Sequence, residues 1–423
     1  MPETAGAPAL SRRVRTLKPS ATVAMGAKAR QLKGEGKDVI SFALGEPDFD
    51  TPKRIKDAAI KALNEGQTHY TATLGPPAAR EAIAAKLRDE NGIPDLGAEH
   101  IAISAGAKHA LFTICHCLFD PPGAGEEAGE AIIPVPAWVS YAPIVELAGG
   151  RIVEVPTTPE SDFKATAEQI RDAITERTRL LILNSPSNPC GTMYSEAELR
   201  EIAAVVAEAA QNVAPQMVIL SDEIYEKIIY GGIPHFSIGS VPEVSERTIT
   251  LNGMSKAFAM TGWRVGYAAC PGAFGAGLIK AMGALQGQMT TNITSFIYPA
   301  IPVALTQCAD EVEAMRQAFA KRAELTERLL NQIPGVQAPK PTGAFYMFPR
   351  VSDHFGKVTP GGRAIGSALD FAESLLGERL VAVTPGEDFG GHGDEHVRIS
   401  FACSEAQIEA GIARIAAFVA DLR

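Results

Sequence analysis

Short apolar runs, each closed by Gly, Pro, Asn or Asp, recur between about residue 55 and residue 310 and alternate with amphipathic stretches of helical spacing. That alternation predicts an α/β fold with a mostly parallel sheet sandwiched between helices. The predicted strands are Ile101–Ser104, Glu130–Ile133, Leu180–Leu183, Met217–Leu220, Thr248–Leu251 and Gly266–Ala269. In such sheets small molecules bind in the crevice outside the carboxyl ends of the strands, where these breaker residues gather. The chain ends read differently. Residues 312–332 predict a long charged helix, followed by the run Pro339–Phe348, an alternating strand Val397–Phe401 and a last helix from about Ser404. The segment around Val39–Phe42 precedes the alternating unit and needs a sheet to pair with. The expected division is therefore a flexible arm over 1–14, a smaller α+β domain built from 15–54 and 312–423, and a large domain over 55–311.

Composition narrows the classes. With 423 residues and 46% hydrophobic content, the chain exceeds the size at which one core usually keeps growing, in keeping with two subdomains. A formal net charge of −10 with interspersed signs and no basic stripe gives no footprint for nucleic acid. No apolar run is long enough to span a bilayer, and the first ten residues lack the charged start and apolar block of a signal peptide, so neither membrane attachment nor export is expected. Six cysteines are too sparse for a disulfide scaffold and point to a reducing, cytoplasmic setting. Cys115 and Cys117 flank His116 at a spacing that fits no zinc pattern. The run Leu111–Phe119 reads instead as a buried helix whose cysteines fill core gaps, and no metal is expected.

Candidate chemistry centres on Lys256 and Arg264, eight positions apart in a small, apolar stretch. A lysine is a useful amine nucleophile near neutral pH only when desolvation or a nearby cation lowers its pKa, and an arginine can supply that field while clamping a phosphate. Lysine amine plus phosphate clamp suggests pyridoxal phosphate. Asp222 closes a predicted strand, with Tyr225 three residues on; a buried carboxylate demands a charged partner, which a protonated pyridine nitrogen would supply, and the tyrosine would meet the ring oxygen. Asn188 sits in the loop Asn184–Gly191, whose two prolines and glycine describe rigid turn chemistry. Ser104–Leu111 has the strand, glycine and helix order of a phosphate cradle around Gly106 and Ala107. Lys108, in the first helical turn, opposes the macrodipole, so an anion is expected beside it. Trp138 follows another strand end and can stack on a flat ring. Arg398 holds the polar phase of the Val397, Ile399, Phe401 alternation, and its planar guanidinium matches an α-carboxylate. Each residue also has a plainer reading: helix cap for Asp222, core aromatic for Tyr225 and Trp138, solvated charge for the cations.

Together these residues resemble the fold type I pyridoxal phosphate aminotransferases, specifically the aspartate aminotransferase class of bacteria and plant plastids, some members of which also transaminate prephenate. The resemblance runs from about Leu17 to the last helix. It rests on Leu44–Pro52, Thr68–Thr71, Ala137–Tyr141, Asn184–Gly191, Ser221–Glu226, Asn252–Tyr267, Gly343–Tyr346 and Val397–Ser400. By it, Lys256 is the lysine that holds the cofactor covalently and then shuttles the substrate α-proton. Asp222 pairs with the pyridine nitrogen, Tyr225 and Asn188 with the ring oxygen, and Trp138 stacks on the ring beside the substrate. Arg264, Ser255 and the Gly106–Ala107–Lys108 turn hold the phosphate. Tyr70 matches a tyrosine lent to the neighbouring subunit's phosphate, which implies a homodimer with shared sites. Arg398, Asn188 and the Gly45 backbone bind the α-carboxylate, and Lys108 the distal carboxylate of an acidic substrate.

The implied activity is ping-pong transfer of an amino group from aspartate to 2-oxoglutarate, amino acids and 2-oxo acids being the partners. The chain departs from the family pattern at Cys190 and Cys403, which stand where threonine is common, and at Thr290–Pro299, which lacks the glutamine usual after that segment; the last bears on substrate choice, because by the resemblance that segment borders the partner's substrate pocket. The rival readings are a prephenate, aromatic or alanine aminotransferase, and a ligand sensor on the same fold. A sensor of that kind carries an added helix-turn-helix domain, and only about a dozen residues precede the matching region. A nicotinamide-dependent dehydrogenase would need Gly-x-Gly-x-x-Gly after a strand, and no such run occurs in that context.

Overall fold

The structure is a computed structural model that describes residues 10–15, 17, 21–123 and 127–423; residues 1–9 of the expected arm lie outside it. Its strands, in chain order, are β1 (Ile40–Ser41), β2 (Ile101–Ser104), β3 (Glu130–Val135), β4 (Arg151–Pro156), β5 (Thr178–Asn184), β6 (Val218–Asp222), β7 (Thr248–Gly253), β8 (Gly266–Ala269), β9 (Tyr346–Met347), β10 (Val381–Ala382), β11 (Thr384–Pro385) and β12 (Val397–Ser400). Seven of them form one sheet in the order β2-β8-β7-β6-β5-β3-β4.

That sheet is buried on both faces, which is why its strands read as continuous apolar runs. Leu180 and Ile182 of β5 pack on one side with the helices Ala107–Leu118 and Gly272–Gly287; Leu181 and Leu183 pack on the other with the helix Glu196–Asn212. Cys115 lies within the first of these cores, in line with its expected packing role. The pairs β4/β3, β3/β5, β5/β6 and β6/β7 are parallel, and only β8 runs against both of its neighbours, β7 and β2. Two reversals restore direction, so β2 ends on the same edge as β3, β5, β6 and β7, and β8 starts there. One edge therefore receives Asp222, Asn184, the turn after Ser104, the segment leading to Lys256 and the residue two before β8, Arg264.

β4 is absent from the sequence-based expectation. It is an edge strand with Val155 as its one buried residue, and its Arg151 and Glu154 break the apolar run that marked the others. A separate core gathers Met25, Ile40 and Phe42 from the first part of the chain with Phe319, Phe345, Phe371, Ile399 and Phe418 from the last part. The helix Ala309–Leu330 begins a few residues earlier than predicted, and the last helix, Glu405–Asp421, starts after Ser404, whose hydroxyl accepts the Gln407 N–H. β1 finds its partner in β10, in parallel, while β11, β12 and β9 form an antiparallel trio. Ile224, Tyr225, Ile228 and Tyr230 also pack into this second core. They tie the turn after β6 to it. No helix among the described residues is long and apolar enough to cross a membrane.

Candidate active site

Where the sheet edge meets the second core lies a cavity of about 550 Å³, lined by Gly45, Ala107, Lys108, Trp138, Tyr141, Asn188, Asp222, Tyr225, Ser255, Lys256, Arg264, Tyr346 and Arg398, among others. All the expected site residues except Gly106 and Tyr70 line it, and Gly106 abuts it through Arg264. Tyr70 is elsewhere. It is 86% exposed and borders a separate depression with His69, Thr71 and Tyr298.

Lys256 follows β7 and sends Nζ to the Gly45 carbonyl. Burial pushes its amine down to about 8; Arg398 adds to the shift, Glu46 opposes it, and Arg264 comes only after these. The lowered pKa anticipated from Arg264 is thus produced mainly by desolvation and Arg398, because the distant end of the chain folds over the amine.

Asp222 ends β6 and is 4% exposed. Tyr141 donates to its Oδ2 (2.7 Å) and the Ile224 N–H to its Oδ1 (3.2 Å), yet no cation lies among its hydrogen-bond partners in the described residues. Burial raises its carboxyl to about 6 against those two bonds. A buried carboxylate with this deficit accommodates a cation on its cavity side. Tyr141, within the quoted motif Ala137–Tyr141 but assigned no role there, is its principal anchor. Below the same turn, Glu223 and Glu226 with His235 form a cluster of potential metal ligands, but their oxygens already receive Lys86, Asn91, Ser221, Ser237 and Asn252. That arrangement is an ion-pair network under the site.

The opposite charge deficit surrounds Arg398, also 4% exposed. Its Nη1 donates to Asn188 Oδ1 (2.9 Å) and its Nη2 to the Ala43 carbonyl (2.9 Å), while Nε is buried without a partner among the described residues. Burial lowers its pKa. A buried guanidinium bonded only to neutral oxygens is an anion site. Asn188, held by its own N–H on Asn184 Oδ1 (2.8 Å), turns its amide oxygen to Arg398 and keeps its NH₂ for a ligand.

A second anion site sits at the start of the helix Ala107–Leu118. Gly106 has φ +85°, and a Cβ there would lie 2.4 Å from Arg264 Nη2, so glycine is what lets the guanidinium reach the turn. Arg264 Nη1 donates to the Thr261 carbonyl (2.9 Å), and the N–H groups of Ala107 and Lys108 have no acceptor among the described residues. Burial and Arg264 lower the Lys108 pKa, and its Nζ stands 4.8 Å over the Trp138 ring. Free N–H groups, a helix N-terminus and a guanidinium suit a phosphate dianion. Phosphate site, cation site and reactive amine face one cavity, which is the donor set that pyridoxal phosphate requires.

Residues 37–415 match the family described as aminotransferase class I and II. An aspartate aminotransferase of Bacillus sp. (strain YM-2) is 43% identical, over 97% of this chain and 99% of that protein. An aspartate/prephenate aminotransferase of Cereibacter sphaeroides is 41% identical, over 98% of this chain and 99% of that protein. Among solved structures, the aspartate aminotransferase of Rhizobium meliloti superimposes with a TM-score of 0.91 at 39% identity, covering 99% of this chain and 100% of that one. The Thermus thermophilus aspartate aminotransferase with maleate gives 0.87 at 40% identity, covering 97% and 100%.

Proposed function

Because this chain belongs to the class I and II aminotransferases, enzymes that work with pyridoxal phosphate, we propose that it transfers the amino group of aspartate to 2-oxoglutarate in two half-reactions. The observation that carries this reading is the pairing of deficits across one cavity: among the described residues, a buried carboxylate with no hydrogen-bonded cation at Asp222 and a buried guanidinium with no hydrogen-bonded anion at Arg398, with Lys256 lining the same cavity. When bound, the cofactor supplies the electron sink for a substrate α-carbanion. Asp222 holds the ring nitrogen protonated, and Tyr225 and Asn188 bond the ring oxygen. Ser255, Arg264 and the Gly106–Ala107–Lys108 turn take the phosphate, and Trp138 backs the ring. Arg398, Asn188 and Gly45 orient the α-carboxylate so that Lys256 Nζ takes up and returns the α-proton.

Lys108 supports the acidic donor. It is a partly buried cation with an aromatic face but no carboxylate partner among the described residues. The relative of known structure that binds maleate, a dicarboxylate, agrees with that charge. Replacing Lys108 with methionine is expected to lower kcat/KM for aspartate and glutamate on the order of 10²-fold, the effect of losing one desolvated charge partner, while alanine and phenylalanine change little. An amino-donor panel with 2-oxoglutarate as acceptor checks this, and an equal loss for all donors would refute the assignment. The relatives named for both activities make prephenate the second acceptor to include in the panel.

The domain division at 15–54 with 312–423 and at 55–311 is supported by the core around Ile40, Phe319 and Phe418 being separate from the cores on the two faces of the sheet, with Ile224–Tyr230 reaching into it. A homodimer is proposed from the exposed Tyr70, which would reach the phosphate of a neighbouring site. Sedimentation at twice the chain mass, with weaker cofactor binding in Tyr70→Phe, is the expected result; a monomer with full activity would contradict it.

A further inference from the structure

Tyr346 contacts Tyr225, Arg398 and Gly45, three of the residues proposed to hold cofactor or substrate. It is fully buried on β9 and lines the cavity. Its hydroxyl lies 3.0 Å from that of Tyr225 and has no other hydrogen-bond partner among the described residues. Its ring lies under the guanidinium of Arg398, whose Cζ is 4.7 Å from the ring centroid. Its hydroxyl also abuts Gly45, where a Cβ would come within 2.4 Å of it, so the backbone that receives Lys256 can sit against Tyr346 only as glycine.

A tyrosine hydroxyl has one proton to give. If Tyr225 gives its proton to the cofactor's ring oxygen, its own oxygen is left to accept, and Tyr346 is the group positioned to donate. Hydrogen bonds in such a chain polarise one another, so the outer donor strengthens the inner bond. We propose that Tyr346 is a positioning residue for both halves of the site: through Tyr225 it strengthens the bond to the ring oxygen, and through its ring it holds Arg398 flat for the α-carboxylate. The inference rests on the roles given above to Tyr225 and Arg398.

The two halves separate by substitution. Tyr346→Phe keeps the ring and removes the hydroxyl; Tyr346→Leu removes both and leaves the position apolar. A weaker bond from Tyr225 leaves more negative charge on the ring oxygen, and the proton on the Lys256 nitrogen is then held more tightly. The readout is the pH midpoint of the holoenzyme's long-wavelength absorbance band, in wild type, Tyr346→Phe, Tyr225→Phe and the double variant. Arg398, Glu46, Arg264 and Asp222, the charged groups facing Lys256, are the same in all four.

The expected result is an upward shift of about half a pH unit in Tyr346→Phe, a threefold change in the protonation constant. Tyr225→Phe should shift it further, and the double variant should match Tyr225→Phe. A wild-type midpoint in Tyr346→Phe, or additive shifts in the double variant, would overturn the coupling. For the ring, Tyr346→Leu is expected to raise KM for the amino donor about tenfold, and Tyr346→Phe less than about twofold, as a stacked cation predicts. Equal KM in both variants would overturn that half. Wild-type holoenzyme with no titrating band would instead bring down the proposed function, and this inference with it.

Discussion

Lys256→Ala is expected to abolish turnover and the holoenzyme's long-wavelength absorbance together. Two tasks converge on one amine, covalent retention of the cofactor and transfer of the α-proton, so the loss should exceed the roughly 10²–10⁴-fold attributable to general acid–base catalysis alone. Absorbance spectra and single-turnover assays on the purified variant check this, and survival of either property would refute the role of Lys256. A pH signature accompanies it. The wild-type amine, lowered to about 8 chiefly by burial, is neutral above that pH and charged below it. Capture of added cofactor by the cofactor-free protein should therefore quicken as pH rises through about 8, and a rate flat across that window would contradict the assignment.

Asp222→Asn is expected to lower kcat by at least roughly 10²–10³-fold, the scale of removing one aimed electrostatic partner, with the fold intact. The amide keeps an oxygen for the Tyr141 hydroxyl but cannot hold the ring nitrogen protonated. A second readout follows from linkage. The Asp222 carboxyl titrates at about 6 in the fold against an ordinary 3.8, so between those values the folded chain binds more protons than the unfolded one. Stability contributed by this group is thus full below 3.8 and is lost as pH rises to about 6. The cofactor-free wild type should lose stability across that window more steeply than Asp222→Asn. Parallel denaturation curves for the two proteins would sink this account.

Much of this was readable from residues alone, for physical reasons that differ from place to place. β2, β3, β5, β6, β7 and β8 were legible because a sheet covered on both faces leaves an unbroken apolar run, and β4 was not, because an edge strand tolerates Arg151 and Glu154. Asp222 and Asn188 were legible as polar residues at strand ends. The reversal of β8 was not, since apolar runs carry no sign of direction. Tyr141 and Tyr346 resemble core aromatics in sequence, and only tertiary contact with Asp222, Tyr225 and Arg398 distinguishes them. The leading influence on Lys256 after burial, Arg398, lies more than a hundred residues away and no local pattern could rank it above Arg264.

The parallel pairing of β1 with β10 fixes an order of events during synthesis. Ile40 and Ser41 leave the ribosome early but wait for Val381 and Ala382, roughly tens of seconds at ordinary translation speeds. The last strand of the seven-stranded sheet, β8, is translated more than a hundred residues ahead of Val381, so the segments that carry the phosphate cradle and Lys256 emerge before the partner of β1 exists.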